Sequence, residues 1–248
     1  MARGVTPARL FLDGPATSYS TADLLRLRSD HAAARDAVHA SLEIDDPALA
    51  PLVQEHGLFA VRTLATSLRQ YLAYPHLGRA LDETSRDTVS HLCPSDVDLQ
   101  IVLGDGLSPR AVARYGPQIF DLLVATASRH GWSVGRPIYV SRCRVGIMND
   151  IGDLVRPTAI VLLIGERPGL ATAESMSAYL GYKPRSGHTD ADRNLICNIH
   201  NKGVSCTEAA PRIFDLVRQL RTYGVGGISV KEAMPASHRP NIGAPPPA

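Results

Sequence analysis

The stretch TAIVLLIGERPGL, residues 158–170, decides the fold. Thr158 to Ile164 is an unbroken run of aliphatic and β-branched residues with no polar alternation, the pattern of a strand covered on both faces. Arg156-Pro157 ends whatever precedes it, and Gly165-Glu-Arg-Pro-Gly ends the strand itself. On the N-terminal side, Val97 to Leu103 (VDLQIVL) is a second such run, followed by Gly104, Asp105 and Gly106. Ser108 and Pro109 then form an N-cap and N1 pair, opening a helix that runs to about His130 and stops near Gly131. Pro137 to Val140 reads as a short strand, Val145 to Val155 as a helix, Arg193 to Ile199 as a further strand, and Thr207 to Tyr223 as a helix with Ala210, Phe214, Val217 and Leu220 on one face. Strands alternating with helices predict an α/β fold: a mainly parallel, Rossmann-like sheet with helices on both faces.

Ahead of that α/β part the pattern is helical. Ser20 to Asp23 (STAD) is a capping-box variant, and a helix follows over Thr21–His39 with a partial apolar stripe from Leu24, Leu25, Leu27, Ala32 and Val38. A second helix is expected over residues 51–70, and residues 74–96 read as a linker or small connecting elements. The division expected is a flexible segment at 1–19, a helical region at 20–95, an α/β domain at 96–235 and a disordered tail at 236–248.

Composition narrows the function. The chain has 248 residues, a net charge of +2, 44% hydrophobic and 20% charged residues, so a chain this long can bury a core without disulfides. The small net charge argues against a nucleic-acid binder, and no apolar run approaches the length of a membrane span. The N-terminal residues lack the apolar core of a secretory signal, so Cys93, Cys143, Cys197 and Cys206 are expected to be reduced thiols. His91 with Cys93 and Cys197 with His200 are the closest metal-type pairs, and neither has a second pair at ligand spacing, so no metal site is expected. No G-x-S-x-G, P-loop or H-E-x-x-H occurs.

Three stretches could meet a ligand. Gly104 to Ser108 joins a strand end to a helix start, where backbone N–H groups either close a tight turn or hold an anion. A stand-alone enzyme binding a nucleotide or phosphate there is the alternative reading. Glu166 follows a central strand, on the side where open α/β sheets bind ligands; a surface contact between Glu166 and Arg167 is the alternative. Asn198-Ile-His-Asn-Lys-Gly approaches the D-x-H-x-x-G pattern whose His binds cobalt, but Asn198 stands where a carboxylate would orient the ring, so a polar turn is expected.

The blocks SDVDLQIVLGDGLSPRAV (95–112), RVGIMNDIGD (144–153), VLLIGERPGL (161–170), ESMSAYLGYKPR (174–185), ADRNLICNIHNKG (191–203) and EAAPRIFDLVRQL (208–220), with LRSDHAAARDAVH (27–39), resemble the small (light) subunit of ethanolamine ammonia-lyase. The resemblance implies a subunit of a hetero-oligomeric lyase that converts ethanolamine to acetaldehyde and ammonia using adenosylcobalamin. It places the cofactor between the small subunit and a large (heavy) subunit, and the substrate and catalytic residues in the large one. It implies a cofactor that keeps its own base on cobalt, and a cytoplasmic enzyme with enclosure in a bacterial microcompartment left open. Matching motifs carry three cofactor contacts to Val145, Glu166 and Leu195. At the third the family has Cys; here a Cys comes two residues later, at Cys197, so only a backbone contact carries over to Leu195. A third reading, an assembly protein whose N-terminal helices dock to a partner or shell, rests on Thr21–His39 alone.

Overall fold

The computed structural model of the chain describes residues 19–232, so the segment expected to be flexible before Tyr19 and the tail expected at 236–248 lie outside the described residues. In chain order the elements are α1 (Thr21–His39), α2 (Ala50–His56), β1 (Phe59–Arg62), α3 (Leu68–Ala73), α4 (Glu83–Leu92), β2 (Leu99–Gly104), α5 (Pro109–Arg129), β3 (Ile138–Ser141), α6 (Ile147–Val155), β4 (Ala159–Gly165), β5 (Met176–Tyr182), β6 (Arg193–Ile199) and α7 (Cys206–Tyr223). No helix among the described residues is long and apolar enough to cross a membrane.

The sheet has six strands and is mixed. Its order is β1-β3-β2-β4-β5-β6; β1, β3, β2 and β4 run parallel, while β5 and β6 are each antiparallel to their neighbours. The reason is connection length. A parallel crossover needs a dozen or more residues and usually a helix. The links at 166–175 and 183–192 are shorter than that, so the chain can only fold back on itself. The expected helix over 51–70 is also corrected. Gly57, at φ +66, terminates α2, and Phe59 to Arg62 then forms the edge strand with alternating buried and exposed residues. The expected linker at 74–96 holds α4, whose cap Asp82 accepts from the Ser85 N–H at 2.7 Å.

β2 and β4 lie mid-sheet with every residue buried, as two-sided cover requires. One face packs Leu99, Ile101, Leu103, Val161 and Leu163 against α5, with α7 beside it over β5 and β6. The other packs Val102, Ile160 and Leu162 against α6, with α4 packed on α6. α1 starts at the expected cap, Ser20 accepting from Asp23 N–H at 3.1 Å, but its apolar stripe is not buried: Ala37 is its one buried residue.

The parallel strands all end at one edge, and there two glycines let the β2 and β4 loops touch. Gly106 has φ +58, and a Cβ on it would stand 2.2 Å from the Gly165 carbonyl oxygen. A Cβ on Gly165 would stand 2.3 Å from the Ser108 oxygen. The Leu107 N–H donates to the Gly165 carbonyl across the contact at 3.1 Å. Gly106→Ala combines a left-handed backbone with a main-chain clash and is expected to lower unfolding free energy by at least about 2 kcal/mol. Urea denaturation measures it, and an unchanged midpoint would mean that the loops do not meet.

Candidate functional site

Ligands in open α/β sheets bind beyond the carboxyl ends of strands, where neighbouring strands send their connections in opposite directions. Here β2 leads away through α5 to β3 on one side, while β4 leads to β5 on the other. A cavity of about 190 Å³ opens beyond these ends, lined by residues of all three loops. Gly106 and Leu107 come from the β2 loop, Arg144 and Val145 from the β3 loop, and Glu166 from the β4 loop. Two expected contacts, Val145 and Glu166, thus share one cavity. Leu195 does not line it. It lies on β6 directly opposite Tyr179 of β5, which does, and it is 44% exposed. Cys197, two residues on, is also exposed.

Glu166 has an internal task. Its Oε1 accepts from the Ser177 hydroxyl at 2.6 Å and from the Asn198 N–H at 2.7 Å. Pairing of β5 with β6 is interrupted by a bulge in this region, and Asn198 has φ +62. A bulge leaves a backbone group without its ladder partner, and the Glu166 carboxylate supplies one. Oε2 makes no hydrogen bond among the described residues, and Glu166 lines the cavity.

The Val145 turn is held from two directions. Asp105 accepts from the Arg142 N–H at 2.7 Å on Oδ2 and from the Cys143 N–H at 2.9 Å on Oδ1. From the other side, the Arg144 N–H donates to the Gly78 carbonyl at 2.8 Å. The Arg144 guanidinium lies 4.2 Å over the Tyr71 ring. Its Nε is buried with no acceptor. The Tyr71 hydroxyl donates to the Cys143 carbonyl at 2.8 Å, and burial raises its pKa, so it stays protonated. The Val145 carbonyl accepts from Met148 at 3.2 Å, while no acceptor for the Val145 N–H occurs among the described residues. Sequence reasoning missed Asp105, Tyr71 and Arg144. Asp105 was visible in the GDG loop, but only its backbone suggested a role.

The other sequence candidates are engaged internally. In the Gly104–Ser108 loop, Asp105 N–H donates to the Val140 carbonyl and Leu107 N–H to Gly165. Ser108 occupies the N-cap position, yet its hydroxyl donates to the Ala173 carbonyl at 2.9 Å rather than capping α5. A carboxylate beside engaged donors does not form a phosphate cradle. His200 is buried, with Nδ1 accepting from the Lys202 N–H at 3.2 Å and Nε2 within 2.8 Å of Asn198 Oδ1. A ring that accepts on Nδ1 carries its proton on Nε2, so this imidazole is neutral and donates to Asn198. Burial lowers its pKa accordingly. No group of three or more potential metal ligands occurs among the described residues.

A family model described as "Ethanolamine ammonia-lyase light chain (EutC)" matches residues 1–231. The chain belongs to this family. It is 40% identical over 232 residues to the ethanolamine ammonia-lyase small subunit of Rhodopseudomonas palustris, a match covering 93% of this chain and 88% of the relative. It is 37% identical over 226 residues to that of Fusobacterium nucleatum, covering 91% and 75%. The small subunit of Xanthomonas campestris pv. campestris is 36% identical over 246 residues, covering 97% and 89%. For a member of the light-chain family, the cavity at the strand ends is the place where Val145 and Glu166 come together.

Asp105 offers a direct check on the Val145 turn. Burial raises its pKa to about 6 from the ordinary 3.8, against the opposing pull of the Cys143, Arg142 and Gly106 N–H groups. Between those values the folded chain holds a proton that the unfolded chain has released. Its contribution to stability is therefore greatest below pH ~4 and declines as pH rises through about 6, by at most about 3 kcal/mol. Asp105→Asn removes this slope. Denaturation at several pH values on both proteins tests it; identical slopes would show that Asp105 is not the titrating group.

Proposed function

We infer that this chain is the small subunit of an ethanolamine ammonia-lyase, and that its strand-end cavity grips one edge of adenosylcobalamin against a large subunit. One observation carries the reading: an unengaged Glu166 Oε2 and an unengaged Val145 N–H belong to the same cavity. The periphery of a corrin bears amides, each with N–H donors and a carbonyl acceptor. A carboxylate oxygen can take an amide N–H, and a backbone N–H can give to an amide carbonyl, so the donor set fits. Size supports a shared site. A cavity of about 190 Å³ falls below the usual range of roughly 300–1,000 Å³ for pockets that enclose a ligand. It can hold an edge, and a partner would have to cover the rest.

When bound, the cofactor supplies the radical chemistry that removes a hydrogen from ethanolamine. This chain's residues position it. Asp105 and the Arg144–Tyr71 stack fix the turn carrying the Val145 N–H. Ser177 and Asn198 fix the Glu166 carboxylate, so its free oxygen is oriented before the ligand arrives. Leu195 and Tyr179 offer a sheet surface beside the cavity that an apolar ring edge or the partner would cover. His200 stays neutral and internal, which suits a cofactor that brings its own base to cobalt. The reading places the substrate and the reacting residues in the large subunit, and the enzyme in the cytoplasm, free or within a bacterial microcompartment.

The test is co-expression with a large subunit, followed by cobalamin titration and an acetaldehyde assay. Activity is expected only with both chains and adenosylcobalamin; full activity from this chain alone would refute the reading. Glu166→Gln refines it. The amide oxygen can still accept from Ser177 and Asn198, so stability should change by less than about 1 kcal/mol. The second position becomes an NH₂ that meets the cofactor's N–H, so the dissociation constant of the complex should rise about tenfold, or about 1.4 kcal/mol. An unchanged constant removes Glu166 from the site.

A further inference from the structure

A second cleft, of about 440 Å³, adjoins the first at the β3–α6 turn: Val145 lines the smaller cavity and Gly146 the larger cleft. Arg79, His188 and Arg193 also line it. Arg79 ends the 3₁₀ turn Pro75–Arg79, and its stem lies against Gly146, where a Cβ would stand 2.8 Å from the Arg79 Cγ. It is exposed, and no carboxylate or carbonyl pairs with its guanidinium among the described residues.

The carboxylates of the cleft are already engaged. Asp150 accepts from the Leu81 N–H at 2.7 Å and pairs with Arg86. Asp190 pairs with Arg193. Arg193 is the second cation: its side chain is 5% exposed, its Nη2 donates to Asn149 Oδ1 at 3.0 Å, and its buried Nε has no acceptor. Burial lowers its pKa; the Asp190 charge opposes this and the Arg79 charge adds to it, so the two guanidiniums sense each other. With one donor unsatisfied, the buried Arg193 charge is only partly offset by Asp190 and Asn149. Two guanidiniums lining one cleft, one of them unpaired, form the chemistry that recognises a phosphate group.

We propose that this cleft is an anion subsite for the phosphodiester in the nucleotide tail of the cofactor, with Arg79 as its contact and Arg193 as a fixed positive charge behind it. The proposal rests on the cobalamin reading above. Adenosylcobalamin carries a single phosphodiester, in a tail that leaves the corrin edge, and the cleft adjoins the cavity assigned to that edge.

The experiment measures binding of two ligands to the two-subunit complex. Adenosylcobalamin has the tail; adenosylcobinamide lacks it, together with its phosphate. In Arg79→Ala the dissociation constant for adenosylcobalamin should rise about tenfold while that for adenosylcobinamide stays unchanged. Arg79→Lys should recover part of the loss, because it keeps the charge but not the planar fork. Equal loss for both ligands, or no loss for adenosylcobalamin, would overturn the subsite while leaving the cobalamin reading in place. A wild-type complex that binds neither ligand would overturn both. Inorganic phosphate that raises the melting temperature of the wild type but not of Arg79→Ala, without any tail discrimination, would assign the cleft to a free anion and overturn the proposal.

Discussion

The close approach of Gly106 and Gly165 is the constraint on which the site depends. With a Cβ at either position, main-chain oxygens would stand within 2.2–2.3 Å of it, so the β2 and β4 loops could not meet. Their contact sets Asp105 against the β3 loop and Glu166 against the β5–β6 hairpin. Each carboxylate then accepts backbone N–H groups that no ladder satisfies. Both acids stabilise loops, and the loops in turn carry the groups left free for a ligand. Left unsatisfied, the partly buried Arg142 and Cys143 N–H groups would each cost about 1–3 kcal/mol.

The hairpin gives the sheet an asymmetric end. α6 covers β4, and the face of β5 and β6 that bears Tyr179, Leu195 and Cys197 is left more open. An exposed Leu on a sheet face is not unusual alone. Under the proposed reading, its place beside a cavity of about 190 Å³ makes it the side from which a partner would complete the site. The N-terminal helix repeats this theme, since α1 buries little of its own stripe.

The family pattern and the geometry separate two kinds of residue. His200 was expected in a polar turn and Ser108 as a helix cap; both side chains are engaged inside the fold, Ser108 with the Ala173 carbonyl rather than with α5. Arg79 and Asp105 drew no attention as side chains, yet one lies unpaired in a cleft and the other ties the turn that presents Val145. Residue type alone does not distinguish them, because the difference lies in which partners the fold brings within hydrogen-bond distance.

Much of the architecture was legible in the chain itself. The bounds of α1, α5, β4 and β6 follow from caps, from Pro109 and Arg156-Pro157, and from apolar runs, because those signals act within a few residues. The family was also readable from sequence blocks. β1 was not, since a four-residue edge strand between two helices has no distinctive period and exists by pairing with β3, which is distant in sequence. The antiparallel pairing of β5 could have been inferred from its short connections, but Gly181 and Ser177 weaken its strand pattern. What only the tertiary structure decided was the bonding state of each polar group: which oxygen of Glu166 is free, which nitrogen of His200 carries the proton, and which arginine of the cleft beside the β3–α6 turn has no partner among the described residues. Such facts depend on contacts between residues far apart in the chain, and those contacts exist only once the strand ends have met.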